Sequence, residues 1–267
     1  LAASNGFAGR YQGSNHSIAV SVLAGTGTAM ESDYDYSSAI FGSDLTDPVE
    51  IGRSAADRAL KKLGARKPPS AKVPVVFDPR VSGGLVRHLT SAINGAAIAR
   101  GTSFLKDKMG QAVMSSGITI VDDPHRARGL ASKPFDAEGL ANKRRNLVEN
   151  GILQTWILDL RAARQLGLTS TGHASRGTSS PPSPSTTNLH LETSTVSPTD
   201  LISDIKSGFY ITSVIGMGVN MVTGDYSRGA SGFWIENGQI AYPVNEVTIA
   251  GNLMDIFLAM TPEDDLD

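Results

Sequence analysis

The sequence predicts an α+β fold, a mainly antiparallel sheet or open barrel with flanking helices. Three observations carry that reading: apolar stretches of period two recur along the chain, two pairs of them are joined by Asn-Gly turns, and helical patterns interrupt the strands irregularly rather than in strict βαβα alternation. At 267 residues the chain can bury a substantial core without disulfides or metals.

Ile18, Val20 and Val22 alternate with Ala19 and Ser21, which predicts a half-buried strand within 11–23, and 30–36 continues in extended form. Asp47-Pro48-Val49-Glu50 opens a helix, with an acid at the N-cap, Pro at the first helical position and Glu three residues after the cap. It should run to Leu63, where Gly64 supplies a left-handed residue and Lys61 and Lys62 meet the negative end of the dipole. Val73 to Phe77 reads as a short apolar strand. Ser82 is the expected cap of a second helix that buries Leu85, Leu89, Ala92, Ile93 and Ala96 at spacings of three and four.

The segment 104–113 is weakly helical in pattern, and 117–121 reads as a buried strand ending in the polar loop Asp122-Asp123-Pro124-His125. Asn150-Gly151 and Asn237-Gly238 each lie between apolar runs, the signature of a type I′ hairpin turn whose two central residues need positive φ. Between them, 169–187 is rich in Ser, Thr, Gly and Pro and is expected to form a long mobile loop. Leu189-His190-Leu191 is extended, Ser197-Pro198 opens a short helix closed by Gly208, and Phe209 to Ile215 forms an apolar strand. A last helix spans 253–260, before an acidic tail from Glu263 to Asp267.

Composition excludes several kinds of chemistry. Zero Cys removes disulfides, thiolate zinc sites and cysteine nucleophiles. With 24 Lys and Arg against 26 Asp and Glu, the net charge of −2 supplies no global positive field for nucleic acid. No apolar run reaches the ~18 residues of a membrane helix, and the opening residues lack a signal-peptide pattern. The expected location is the cytoplasm. Gly25-Thr26-Gly27 and Gly216-Met217-Gly218 lack the third glycine of a dinucleotide fingerprint, and Gly229-Ala230-Ser231-Gly232-Phe233 breaks a nucleophile elbow at its last position. The five histidines show no helical i, i+4 pairing. The candidates for a metal are Asp122, Asp123 and His125, a stretch that reads equally as a satisfied polar turn.

A set of longer motifs points further. Asn5-Gly6-Phe7, Ser32-Asp33-Tyr34-Asp35-Tyr36, Phe77-Asp78-Pro79, Arg100-Gly101-Thr102-Ser103-Phe104-Leu105, Asp122-Asp123-Pro124 and the run from Thr223 to Gly238 stand in this order. Together they resemble the PmbA/TldE proteins of the TldD/TldE metalloprotease family, labelled modulators of DNA gyrase, over nearly the whole chain. The resemblance implies that 1–267 is a single C-terminal domain, with an N-terminal α/β domain before it and further strands after it in full-length members. It also implies a cytoplasmic bacterial peptidase system in which a TldD subunit carries an HExxxH zinc helix and pairs with a subunit of the same fold.

With Arg100-Gly101-Thr102-Ser103 as register mark, Val86, Arg87 and Ser91 stand where the metal-bearing His, Glu and His would be. Val and Arg supply neither ligand nor carboxylate base. The expectation is therefore a chain with no catalytic, cofactor or metal residues of its own, zinc residing in a TldD partner. Expected partners are a second copy or a TldD-type subunit and a peptide substrate, with no direct nucleic acid and no membrane. The alternative is a protein-binding modulator of DNA gyrase.

Overall fold

The computed structural model describes residues 1–4, 6–192 and 194–264. Asn5 of the first motif and the last three residues of the acidic tail lie outside the described residues. The first regular elements form an antiparallel hairpin of β1 (His16–Ala24) and β2 (Glu31–Ala39), backed by α1 (Pro48–Lys61). The Asp47 side chain accepts the Val49 N–H as cap, and Ile51, Ala55 and Ala59 face inward at a four-residue spacing. Gly64 has φ +75°, as its place past the helix end requires.

β3 (Val75–Phe77) leads directly into α2 (Pro79–Ala92). The cap of α2 is Asp78, not the expected Ser82: its carboxylate accepts the Arg80 N–H, and the Ser82 hydroxyl donates to the Pro79 carbonyl inside the first turn. Pro79 at the first helical position is the physical reason, because it starts the helix one turn earlier. Leu85, Leu89, Ala92 and Ile93 are buried as the spacing predicts, whereas Ala96 lies in the separate α3 (Gly95–Ala99).

Residues 104–113 form turns rather than a helix. Their N–H groups find distant acceptors instead: Phe104 donates to Met221, Gly110 to Leu153 and Val113 to Gly151. β4 (Ile120–Asp122), β5 (Arg145–Glu149), β6 (Ile152–Leu153) and α4 (Leu160–Leu166) follow. The expected mobile loop is instead anchored. β7 (Ala174–Ser175) pairs with β8 (Ser183–Pro184), Asn94 donates to the Pro184 carbonyl, and Thr171 and His173 are buried, while the tip at 176–181 is exposed.

β9 (Leu189–Leu191) pairs with β4, giving a sheet of order β6-β5-β4-β9. α5 (Pro198–Ser203) is capped by Ser197 and ends before Gly208, which lies in β10 (Ser207–Val219). The intervening carbonyls of Ile205 and Lys206 accept from Gly238 and Asn237, so the hairpin turn takes over from the helix. β11 (Asp225–Glu236), β12 (Gln239–Asn252) and α6 (Leu253–Ala259) complete the chain. The main sheet has order β12-β11-β10-β3, antiparallel except that β3 joins β10 in parallel.

Both Asn-Gly turns form as predicted, with φ of +49° and +79° at Asn150 and Gly151 and +49° and +78° at Asn237 and Gly238. The mixed architecture is that of an α+β protein, and among the described residues no sheet closes into a barrel. The main core lies where α2, α3, α4 and α6 meet the β5–β4 sheet and the far end of β11. A smaller core under the main sheet contains Phe209, Ile211, Ala230, Trp234 and Val244. No helix among the described residues is long and apolar enough to cross a membrane.

Candidate functional site

Helix α2 is where the sequence places the degenerate metal motif, and a chain of ion pairs and hydrogen bonds fixes its start. At its N-terminus Asp78 accepts from Arg80 Nε at 3.1 Å and from the Tyr210 hydroxyl of β10 at 3.1 Å. Arg80 then reaches the first hairpin, where Nη1 lies 2.9 Å from Asp33 Oδ1 and Lys62 Nζ lies 2.8 Å from Asp33 Oδ2. Burial works to raise the Asp33 carboxyl, but the hydrogen bonds from Lys62, Arg80 and the Tyr34 N–H outweigh it and hold the group below its ordinary range. An ion-paired Asp33, only 5% exposed, thus ties the β1–β2–α1 unit to the start of α2.

Further along α2, the three register positions diverge in environment. Val86 is half-buried and packs against the main core. Arg87 is exposed, and among the described residues it makes no ion pair. The Ser91 hydroxyl donates back to the Arg87 carbonyl at 2.9 Å. A hydrocarbon, a cation and a hydroxyl bonded to its own helix do not make a zinc donor set. The imidazole on this stretch, His88, stands edge-on to the Tyr226 ring with centroids 5.9 Å apart. Burial, aided by the charges of Arg228 and Arg87, pushes His88 below the usual histidine range. Burial pushes the Tyr226 phenol up, opposed by Arg228.

The other candidates separate as well. Asp122 is buried in β4, where its carboxylate meets His173 Nε2 at 3.1 Å and accepts the Thr187 N–H at 2.6 Å and hydroxyl at 3.0 Å. His173 Nδ1 lies 2.7 Å from the Thr171 hydroxyl, which also accepts the Leu158 N–H. Asp123 accepts the His125 N–H within its turn, and His125 Nε2 meets Asn142 Oδ1 at 2.9 Å. Asp122 is thus engaged apart from Asp123 and His125, which meet through the His125 backbone N–H, and among the described residues no group of three or more His, Asp or Glu is placed to hold a metal.

Sequence reasoning missed His173, Thr171 and Thr187, which lie in a stretch whose composition reads as loop. It also missed Arg228 and Tyr226. Their alternation on β11 was available as a signal, since period two puts Tyr226, Arg228 and Ala230 on one face. That face is the one α2 covers, with Val81 packed on the small core that holds Ala230 and His88 beside Tyr226.

The sequence profile of the PmbA/TldA metallopeptidase C-terminal domain matches residues 70–266, and that of the central domain of the same proteins matches 1–63. The chain is 41% identical to Metalloprotease PmbA of Escherichia coli O157:H7 over 254 residues, which cover 95% of this chain and 54% of that protein. A crystal structure from Bacteroides thetaiotaomicron, described as a modulator of DNA gyrase, superposes with TM-score 0.89 and 32% identity, over 98% of this chain and 57% of that one. TldE from Thermococcus kodakarensis shares the fold, with TM-score 0.82 at 23% identity over 93% and 57% of the two chains. An α+β unit whose helix α2 crosses an antiparallel sheet behind an ion-paired hairpin is thus the architecture of a known class of metalloprotease-like proteins. The chain belongs to the PmbA/TldD family. It spans about half the length of the relatives it matches.

Proposed function

We propose that this chain is part of a PmbA/TldE-type subunit of a TldD-type metallopeptidase system acting on peptides or unfolded polypeptides, and serves as partner or regulatory subunit. The observation that carries the reading is the chemistry of α2. Val86, Arg87 and Ser91 occupy the positions at which a catalytic subunit would present its ligands and base, and zinc does not fit them. The site of hydrolysis then belongs to a TldD-type partner, and the zinc with it.

The main sheet supports a role in handling extended peptide. β3 pairs with β10 only from Phe209 to Ile211, so beyond that point the β3-side flank of β10 has no strand partner among the described residues. Ile215 and Met217 there are 68% and 96% exposed. An edge of this kind can accept an added strand through its main-chain groups.

Mixing the protein with a TldD-type subunit tests the reading. A complex on size exclusion and peptide cleavage in the mixture alone are expected; no complex together with no change in cleavage refutes it. After dialysis the purified protein should hold no stoichiometric zinc, and zinc that is retained and lost in His88→Ala would overturn the assignment. The description of the Bacteroides thetaiotaomicron relative favours a second reading, a protein-binding modulator of DNA gyrase. A supercoiling assay with purified gyrase separates the two.

A further inference from the structure

The degenerate motif leaves behind an arrangement with its own chemistry. Helix α2 contains no Asp or Glu, and β10 contains no charged residue at all. On β11, Arg228 shares the α2-facing side with the buried Tyr226, whose ring His88 touches. Near Gly216, at φ +86°, the β10–β11 ladder slips between Ile215 and Gly218, and Arg228 Nε donates to the Ile215 carbonyl at 3.1 Å. That bond spends one of the five guanidinium N–H donors and holds the fork against the open end of β10. Its terminal nitrogens have no carboxylate or carbonyl partner among the described residues, and neither does Arg87. The contrast within the same helix is direct, since Arg80 is matched by Asp33 and Asp78.

We infer that Arg228 and Arg87, with His88 and Tyr226 as the apolar and polar floor, form a carboxylate-binding site at the open flank of β10. The inference rests on the peptide-handling reading above and adds to it a polarity: an extended peptide lying along Ser213–Gly218 is held by an acid group at the Arg228 end. A carboxylate suits this place because a planar two-oxygen group matches the guanidinium fork. Burial first, then both arginines, hold the His88 imidazole below the usual histidine range, so the neutral ring is favoured beside the two cations. Two sources share that chemistry, the C-terminus of a peptide and an Asp or Glu side chain.

Calorimetric titration of the full chain with three probes tests the site: acetyl-pentaalanine with a free carboxylate, the same peptide as its C-terminal amide, and an amide carrying one internal Glu. The free acid should bind at least tenfold more tightly than the plain amide, and the advantage should vanish in Arg228→Gln and fall in Arg87→Gln. Arg228→Lys, which keeps the charge and loses the fork, should recover only part of it. Binding of the Glu amide as tight as the free acid assigns the site to acidic side chains; binding as weak as the plain amide assigns it to chain termini. Equal binding of acid and amide, or an advantage unchanged in Arg228→Gln of native circular dichroism, overturns the site while leaving strand pairing standing. If no probe binds at all, the peptide-handling reading falls with it.

Discussion

His173 and His88 lie in the same core-bearing part of the molecule and have opposite surroundings. His173 is 3% exposed and fully engaged, with Asp122 on one ring nitrogen and Thr171 on the other. His88 is half-buried among Arg87, Arg228 and an aromatic ring, and among the described residues neither arginine has an acid as ion-pair partner. The Asp122–His173–Thr171 set resembles a catalytic constellation and is closed, because both ring nitrogens and the carboxylate already have intramolecular partners. The cluster around His88 resembles no such constellation and is open. Unmatched charge, rather than density of polar groups, marks where this protein has capacity to bind.

The largest effect expected from this contrast comes from breaking the closed network. Asp122→Ala leaves the buried His173 nitrogen and the two part-buried Thr187 donors without their acceptor, at a cost of about 4 kcal/mol. Urea unfolding would measure it, and a loss below ~1 kcal/mol would show the network to be dispensable. Asp33→Ala comes next, with about 3 kcal/mol lost as Lys62 and Arg80 are left facing each other. Because the folded Asp33 carboxyl lies below its unfolded value of about 3.9, its contribution is complete above that pH and drains away as pH falls through the folded value. Asp33→Asn should therefore flatten the acid limb of a stability profile.

A smaller loss, about 2 kcal/mol, is expected for Gly238→Ala, which must hold φ near +78° with a methyl 2.5 Å from the Ser203 carbonyl. The smallest effect belongs to the open cluster. His88 is lowered in the fold, so the unfolded chain binds the proton more readily, and stability rises with pH between the folded value and the unfolded value of about 6.5. His88→Gln should remove that slope while leaving stability above it nearly unchanged. A slope that persists in the variant would assign the titration elsewhere.

What was legible in the sequence was local. Asp47-Pro48-Val49-Glu50 and the two Asn-Gly turns specify structure through neighbours two to four residues away, and all three formed as read. The reading failed where tertiary partners compete with local pattern. Residues 104–113 have a helical pattern, but their backbone donors are claimed by Met221, Leu153 and Gly151. The 169–187 segment has a loop composition, but Asp122, 51 residues before His173, pins it. Of the site, the positions Val86, Arg87 and Ser91 were readable from the motif register. For Arg228 the period-two pattern of β11 was readable and puts it on one face with Tyr226 and Ala230, but nothing along the chain tells that α2 covers that face.

That orientation hangs on a turn about ten residues away. Asn237 and Gly238 start the β11–β12 ladder, and shifts at Trp234/Ile235 and Ala230/Gly232 then carry it to the pairing of Arg228 with Ile249 and of Tyr226 with Gly251. A slip by one residue would rotate the strand and present Asp225 and Ser227 to α2, exchanging a cation for an acid. The turn and the two register shifts thus act together as a ruler whose error would appear as a reversed sign of charge beneath the helix.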